Sequence, residues 1–201
     1  MATPTLPTVL RTARLLVRSW RPGDAPLLKA ALDESLPHLQ ASVAWARHEP
    51  TPLAGIVERV VRHAAGFNAG DDWVYGIFAP DETRVLGGCG CERAEPALAA
   101  LVGPGTVEAG YWLRADATGH GYAAEATAAL VRAAFDHLGA RRVAICHDPA
   151  NVASGGVPRR LGFHCVGTVG ARELPARQAA DGSVRPATTV WVLEADAPAR
   201  T

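Results

Sequence analysis

From Val107 to Ala134 the order of apolar and polar positions changes rhythm once, and the rest of the chain is organised around that change. Val107 to Leu113 is short, aromatic and apolar, the make-up of a half-buried strand. Arg114 to Thr118 is polar and ends it. From Tyr122 onward apolar residues recur at helical spacing (Tyr122, Ala126, Leu130, Ala133, Ala134, Leu138), while Glu125, Arg132 and Asp136 take other positions. Between the two rhythms stand Gly119, His120 and Gly121. Glycines at a strand-to-helix handover let backbone N–H groups turn outward with no Cβ in the way, and a helix start adds partial positive charge. That combination is a phosphate cradle. A tight turn whose glycines only relieve sterics is the alternative reading.

The same patterning places the other elements. Arg14 to Trp20 alternates as a strand. Pro22-Gly23-Asp24 is a turn in which Asp24 can cap a helix carrying Leu27, Leu28, Ala31 and Leu32. Residues 36–52 have no clear period, and a second helix covers roughly Leu53 to Phe67. Trp73–Ala79 and Arg84–Arg93 form a hairpin around a Pro80–Thr83 turn. Glu95 to Gly105, alanine-rich with glycine and proline, reads as a surface connection. Gly139 marks a helix end, and Arg142 to His147 suits a parallel partner strand. A short helix near Ala153–Leu161, a strand Phe163–Leu174, a polar loop to Pro186 and a strand Ala187–Glu194 complete a mixed α/β chain. Residues 1–11 are expected as a flexible tail, 12–195 as one domain and 196–201 as a second tail.

Composition narrows the function. The 201 residues carry 20 Lys+Arg against 20 Asp+Glu, a formal net charge of +0, which gives no footprint for nucleic acid or an anionic membrane. No charged-then-apolar leader opens the sequence, and no uncharged run approaches the ~20 residues of a membrane span. The expectation is a soluble, cytoplasmic protein. Cys89 and Cys91 point to one face of a strand and are poorly placed to bridge, and without a CxxC pair and partner histidines no metal site is expected. The consecutive Cys146, His147 and Asp148 are not a catalytic triad, because such groups meet in space rather than in sequence.

VEAGYWLRADATGHGYAAEA followed by NVASGGVPRRLGF resembles the GNAT (GCN5-related N-acetyltransferase) superfamily, and within it the RimJ/RimL-type branch that acetylates ribosomal-protein N-termini. The branch has a GYWL-like strand, a [QR]-x-x-G-x-[GA] turn and an N-x-x-S helix ending in a GF pair. Here these are Thr118 through Ala123, then Asn151, Ser154, Gly162 and Phe163. RLLVRSWRPGD and HLQASVAWARHEP resemble the branch's first strand and its tryptophan-bearing connection. The resemblance implies the GNAT fold, a central mixed sheet of about seven strands with a splayed central parallel pair and about four helices. It also implies acetyl-CoA as co-substrate and transfer of its acetyl group to a primary amine, most simply a protein N-terminus, in a ternary complex. A homodimer is compatible with it.

Site residues follow from the same resemblance, except Glu108, which is a candidate base because it opens the central strand and could face the same cleft. Pantetheine amides would pair near Leu113 and Arg114, the pyrophosphate would rest on Thr118, Gly119, His120, Gly121, Tyr122 and Ala123, and Asn151 would hold the pantetheine arm. Ser154 is the implied proton donor to the thiolate and Glu173 the implied base, with Glu108 the other candidate. A chain α-amine of pKa about 7.8 needs only ~1 kcal/mol to become neutral at pH 7, against over ~4 for a lysine side chain, so a modest carboxylate base suffices. Each role has a plainer counterpart: solvated strand-end charges for the glutamates, helix caps for Asn151 and Ser154. Thr118 replaces the branch's usual head residue, and Gly155, Gly156 and Pro158 predict a short or kinked helix after Ser154. Alternatives are a small-amine or aminoglycoside acetyltransferase, a non-catalytic acyl-CoA sensor, and a dinucleotide-binding oxidoreductase read from Gly119-His120-Gly121-Tyr122-Ala123-Ala124. The tryptophans are expected in the core, with Trp45 available to wall an acceptor pocket and the 176–186 loop to gate it.

Overall fold

The computed structural model describes residues 5–174 and 187–195. Among them the hairpin expected around Pro80–Thr83 forms, with β3 (Trp73–Phe78) antiparallel to β4 (Val85–Arg93). It extends on one side through β2 (Leu16–Ser19) to β1 (Val9–Arg11). On the other side β4 pairs antiparallel with β5 (Thr106–Leu113). β6 (Arg142–His147) lies parallel to β5, then β8 (Ala187–Glu194) and β7 (His164–Gly170) close the far edge. The result is a single 8-stranded sheet in the order β1-β2-β3-β4-β5-β6-β8-β7. It holds one more strand than expected, because Val9–Arg11, assigned to a tail, pairs with β2. Among the described residues only β5 and β6 run parallel, which does not fit the doubly wound sheet of the oxidoreductase alternative.

Six α-helices are present among the described residues, against about four expected. α5 (Tyr122–Leu138) buries Ala126, Leu130, Ala133, Ala134 and Leu138, the stripe read from the sequence, on one face of the sheet. Gly139 at φ 62° ends it. The opposite face is shared. α1 (Ala25–Asp33) and α3 (Leu53–Ala69) cover the β2 side through Leu28, Leu32, Ile56 and Val60, with the short α2 (Leu36–Gln40) beside them. α4 (Pro96–Val102) covers the β6–β8 side through Leu98, against Ala144, Val190 and Val192. α4 corrects the expected surface connection: Pro96 opens it and Gly103 closes it, an arrangement that stops a helix at each end rather than preventing one.

Two local expectations also change, and one holds. Asp24 precedes α1 but does not cap it with its side chain; its carboxylate takes two bonds from the buried Arg18 guanidinium (2.7 and 2.8 Å) and one from the Arg21 amide (2.7 Å). Burial alone would raise this carboxyl, yet those bonds outweigh it and hold the group below the usual carboxylate range. α6 (Val152–Arg160) has the short extent expected, 9 residues, and it runs on through Pro158. β7 ends at Gly170, so Glu173 sits in an exposed turn rather than in the strand expected to reach Leu174. The 176–186 loop lies outside the described residues.

Candidate active site

β5 and β6 stay in register only at Thr106↔Arg142, Val107↔Val143 and Glu108↔Ala144. Beyond that point each strand keeps its outer neighbour, β4 or β8, and the inner edges part. A cleft of about 340 Å³ opens there, lined by Tyr111, Trp112, Leu113, the bend 118–123, and Asn151, Ser154 and Arg160 of α6 and its cap. The splay gives the cleft one wall of strand edge and one of helix.

At the head of the cleft Gly119 (φ 78°) and Gly121 (φ 79°) both adopt the left-handed conformation, which a Cβ would strain. Among the described residues no backbone N–H from Gly119 through Ala124 donates to a protein oxygen; the first helical bond of α5 is Glu125 N–H to the Gly121 carbonyl, 3.0 Å. Several outward amides at a helix start form an anion-binding concavity. The bend is fixed from outside. Arg14 donates to the His120 carbonyl (3.0 Å) and, through its amide and Nε, to Glu125 (2.9 and 2.7 Å), which also takes the Thr12 hydroxyl (2.6 Å). Burial opposes the charge on Glu125, but the Thr12 and Arg14 bonds prevail and keep its carboxyl below the ordinary range. A Cβ on Gly121 would lie 3.5 Å from an Arg160 nitrogen and 3.6 Å from an Arg14 nitrogen, so two guanidinium groups flank the bend. Neither arginine was legible from sequence spacing, since both reach the bend from distant segments.

The expected cofactor residues divide accordingly. Leu113, Thr118, Gly119, Gly121, Tyr122 and Ala123 line the cleft, as do Asn151 and Ser154. His120 is exposed and stacks on Tyr122 at 5.4 Å. Arg114 is not brought to the cleft: its amide donates to the Leu86 carbonyl (2.9 Å), and its guanidinium pairs with Asp116 and Glu34. Asn151 caps α6 by accepting from Ser154 N–H at 3.0 Å. The Thr118 hydroxyl turns back to the Ala115 carbonyl (2.8 Å).

A second cavity of about 700 Å³ adjoins the first on the α1–α3 face of the sheet, and the two share Tyr111 and Trp112. Its floor is the bare backbone of Gly88, Gly90 and Gly110. A Cβ at Gly90 would lie 2.8 Å from the Trp73 carbonyl oxygen, so strand contact itself requires glycine there. Trp20, Trp45 and Trp112 wall it; Trp45, 40 % exposed, meets Trp112 edge-on at 5.8 Å. Arg59, Arg62, His48 and His63 line it, as do Asp72, Glu92 and Glu108. Those two glutamates face each other directly across β4 and β5. Glu108 is thus at a cavity, while Glu173 lines neither one. Glu92 went unrecognised because only strand register brings it opposite Glu108.

His147 is fixed in a structural role. Its Nε2 accepts from the Trp191 indole N–H (3.0 Å), and its Nδ1 lies 2.8 Å from the Asp148 carbonyl, which together select one neutral tautomer. Cys89 and Cys91 are buried free thiols; burial pushes Cys91 up to about 12, so neither is a nucleophile. Among the described residues no cluster of His, Cys, Asp or Glu is arranged to hold a metal ion, and no helix is long and apolar enough to cross a membrane.

Residues 14–164 match the family model described as an acetyltransferase (GNAT) domain. No curated protein matches the sequence. Among solved structures, the microcin C7 self-immunity acetyltransferase MccE, in complex with acetyl-CoA and AMP, is similar at 17% identity and TM-score 0.76, covering 91% of this chain and 93% of that one. RimL, the ribosomal L7/L12 α-N-protein acetyltransferase in complex with coenzyme A, aligns at 20% identity and TM-score 0.76 over 92% and 97%. The ribosomal-protein-S5-alanine acetyltransferase from Vibrio fischeri aligns at 15% identity and TM-score 0.74 over 94% and 98%. At such identities these likenesses concern the fold.

Proposed function

The chain belongs to the GNAT acetyltransferase family, and from that premise we propose that it transfers the acetyl group of acetyl-CoA to a primary amine, a protein N-terminal α-amine in the cytosol. The observation that carries this reading is the junction of the two cavities at Tyr111 and Trp112, one headed by outward amides and the other floored by glycines beside carboxylates. The amides of the 119–123 bend hold the diphosphate, with Arg160 and Arg14 adding positive charge at its side. The edge of β5 near Leu113 pairs with the pantetheine amides, and the thioester reaches the shared wall. Asn151 caps the α6 wall beside it.

Glu108 is the base in this reading, preferred to Glu173 because it lines the acceptor cavity. It takes one proton from the amine, directly or through water, as nitrogen attacks the thioester carbon. The N–C bond forms, the C–S bond breaks, the departing sulfur takes the Ser154 hydroxyl proton, and the proton taken by Glu108 passes to water, from which Ser154 is reprotonated. RimL's activity on a ribosomal protein, and the resemblance of the GYWL and N-x-x-S motifs to that branch, support the choice of acceptor. A second reading, a small planar amine, is favoured by the three tryptophans around the acceptor cavity. Incubation of the protein with acetyl-CoA and a mixed pool of peptides and small amines, followed by mass spectrometry, separates the two. Peptides acetylated at the α-amine bear out the first; acetylated small amines only, the second. Acetyl-CoA bound without any product would leave a sensor.

A further inference from the structure

We propose that Tyr111 is a positioning residue for Ser154, and that its hydroxyl replaces the amide hydrogen missing from α6 at Pro158. In an α-helix the carbonyl of residue 154 accepts from the amide of residue 158. Proline has none, so the Ser154 carbonyl has no helical donor, although α6 continues on both sides. Tyr111 supplies one from across the cleft: its hydroxyl donates to the Ser154 carbonyl at 2.7 Å. The same oxygen lies 3.3 Å from Ser154 Oγ. A phenol has one hydrogen, here committed to the carbonyl, so its lone pairs hold the Ser154 hydroxyl hydrogen in the free protein, and that hydrogen turns from Tyr111 to the sulfur when the thiolate departs. Burial pushes Tyr111 up to about 12, so it remains a neutral donor across the physiological range.

Position gives the contact its consequence. Tyr111 stands on β5 and Ser154 on α6, the two walls of the gap where β5 and β6 have lost their register. Tyr111 also lines both cavities, so the strut crosses the place where thioester and amine meet. A residue that would weaken α6 by itself and a tyrosine one strand away are therefore one device, and their substitutions must be coupled. The catalytic half of this inference rests on the acetyltransferase reading; the coupling itself does not.

The test is a pair of double-mutant cycles on the whole protein. Tyr111→Phe is expected to lower kcat roughly five- to tenfold at unchanged KM for acetyl-CoA, the scale of one lost hydrogen bond made in the active geometry. Pro158→Ala returns an amide to the Ser154 carbonyl, and in that background Tyr111→Phe should cost less than about twofold. With Ser154→Ala in place Tyr111→Phe should add no further loss in kcat, a result that a general loosening of the cleft would not give. Melting without any substrate supplies the independent arm: Tyr111→Phe lowers the midpoint by roughly 2–4 °C alone and by less beside Pro158→Ala. Equal melting losses in both backgrounds, or none in either, would overturn the strut whether or not the protein turns over. Coupled melting with additive kcat losses would overturn the positioning role.

Discussion

The two cavities that meet at Tyr111 and Trp112 are built from different parts of the chain. In the cleft at the 118–123 bend the backbone is what the wall presents: glycines at positive φ, amides without internal partners, and side chains mostly kept small or turned aside. In the larger cavity the backbone is the blank floor, and the walls are tryptophans, arginines and glutamates arriving from β4, β5, α3, the 41–52 connection and the end of β2. Backbone recognition constrains sequence tightly, because only glycine tolerates the required dihedrals. Side-chain recognition does not, since different residues can fill a wall. A family can thus keep one ligand and vary the other.

That contrast is open to direct attack. The largest effect expected is on the side-chain site: Glu108→Gln lowers turnover on the order of a hundredfold or more with acetyl-CoA affinity unchanged, and Glu173→Gln stays within about twofold of the parent. Steady-state kinetics on the amine found by mass spectrometry check both; reversed results would move the base to the turn after β7. Next comes the backbone site. Gly121→Ala forces a Cβ into a left-handed position at a cost of about 1–2 kcal/mol, so calorimetry should register roughly tenfold weaker acetyl-CoA binding with the acceptor KM little altered. Parent-like affinity would mean that the bend relaxes without loss and that its amides are not the grip.

Arg160→Ala should act more weakly, roughly three- to fivefold on acetyl-CoA affinity, since an exposed guanidinium is screened. Its effect should shrink in high salt, whereas that of Gly121→Ala should not; equal salt dependence would erase the distinction between charge and backbone. The smallest effect on either site is expected from acid. Asp24 has a folded pKa below its unfolded one, so its stabilising contribution is complete at neutral pH and is lost as pH falls through the carboxylate range toward the depressed value. Asp24→Asn should therefore flatten the acid limb of the stability curve while leaving acetyl-CoA binding at pH 7 intact. An unchanged acid limb would remove the Arg18–Asp24 pair from that account.

The same contrast explains what could be read from the sequence. Gly119-His120-Gly121, the stripe on α5 and the Asn151–Ser154 spacing are local and stereochemical, and the structure uses each of them. Arg14 and Arg160 at the bend, or Glu92 opposite Glu108, depend on long-range register and leave no mark in local spacing. α4 escaped for a different reason. Its alanine-rich stretch has little polar face, and a proline and a glycine that bound a helix look the same as ones that prevent it. The run ahead of Glu173 reads as strand to Leu174 because it carries no stop signal before Gly170. The missing amide of Pro158 is visible in the sequence, but the Tyr111 hydroxyl that donates to the Ser154 carbonyl comes from outside the helix and is not.

The claim on which the rest depends is that the 119–123 amides hold the diphosphate. Amide proton and nitrogen shifts of Gly119 through Ala123, followed by NMR during titration, test it most directly. The account predicts that coenzyme A and acetyl-CoA move these signals strongly and that S-acetylpantetheine, which lacks the diphosphate, moves Leu113 and Ser154 while leaving the bend in place. Coenzyme A bound at saturation with the five bend amides unmoved would contradict it.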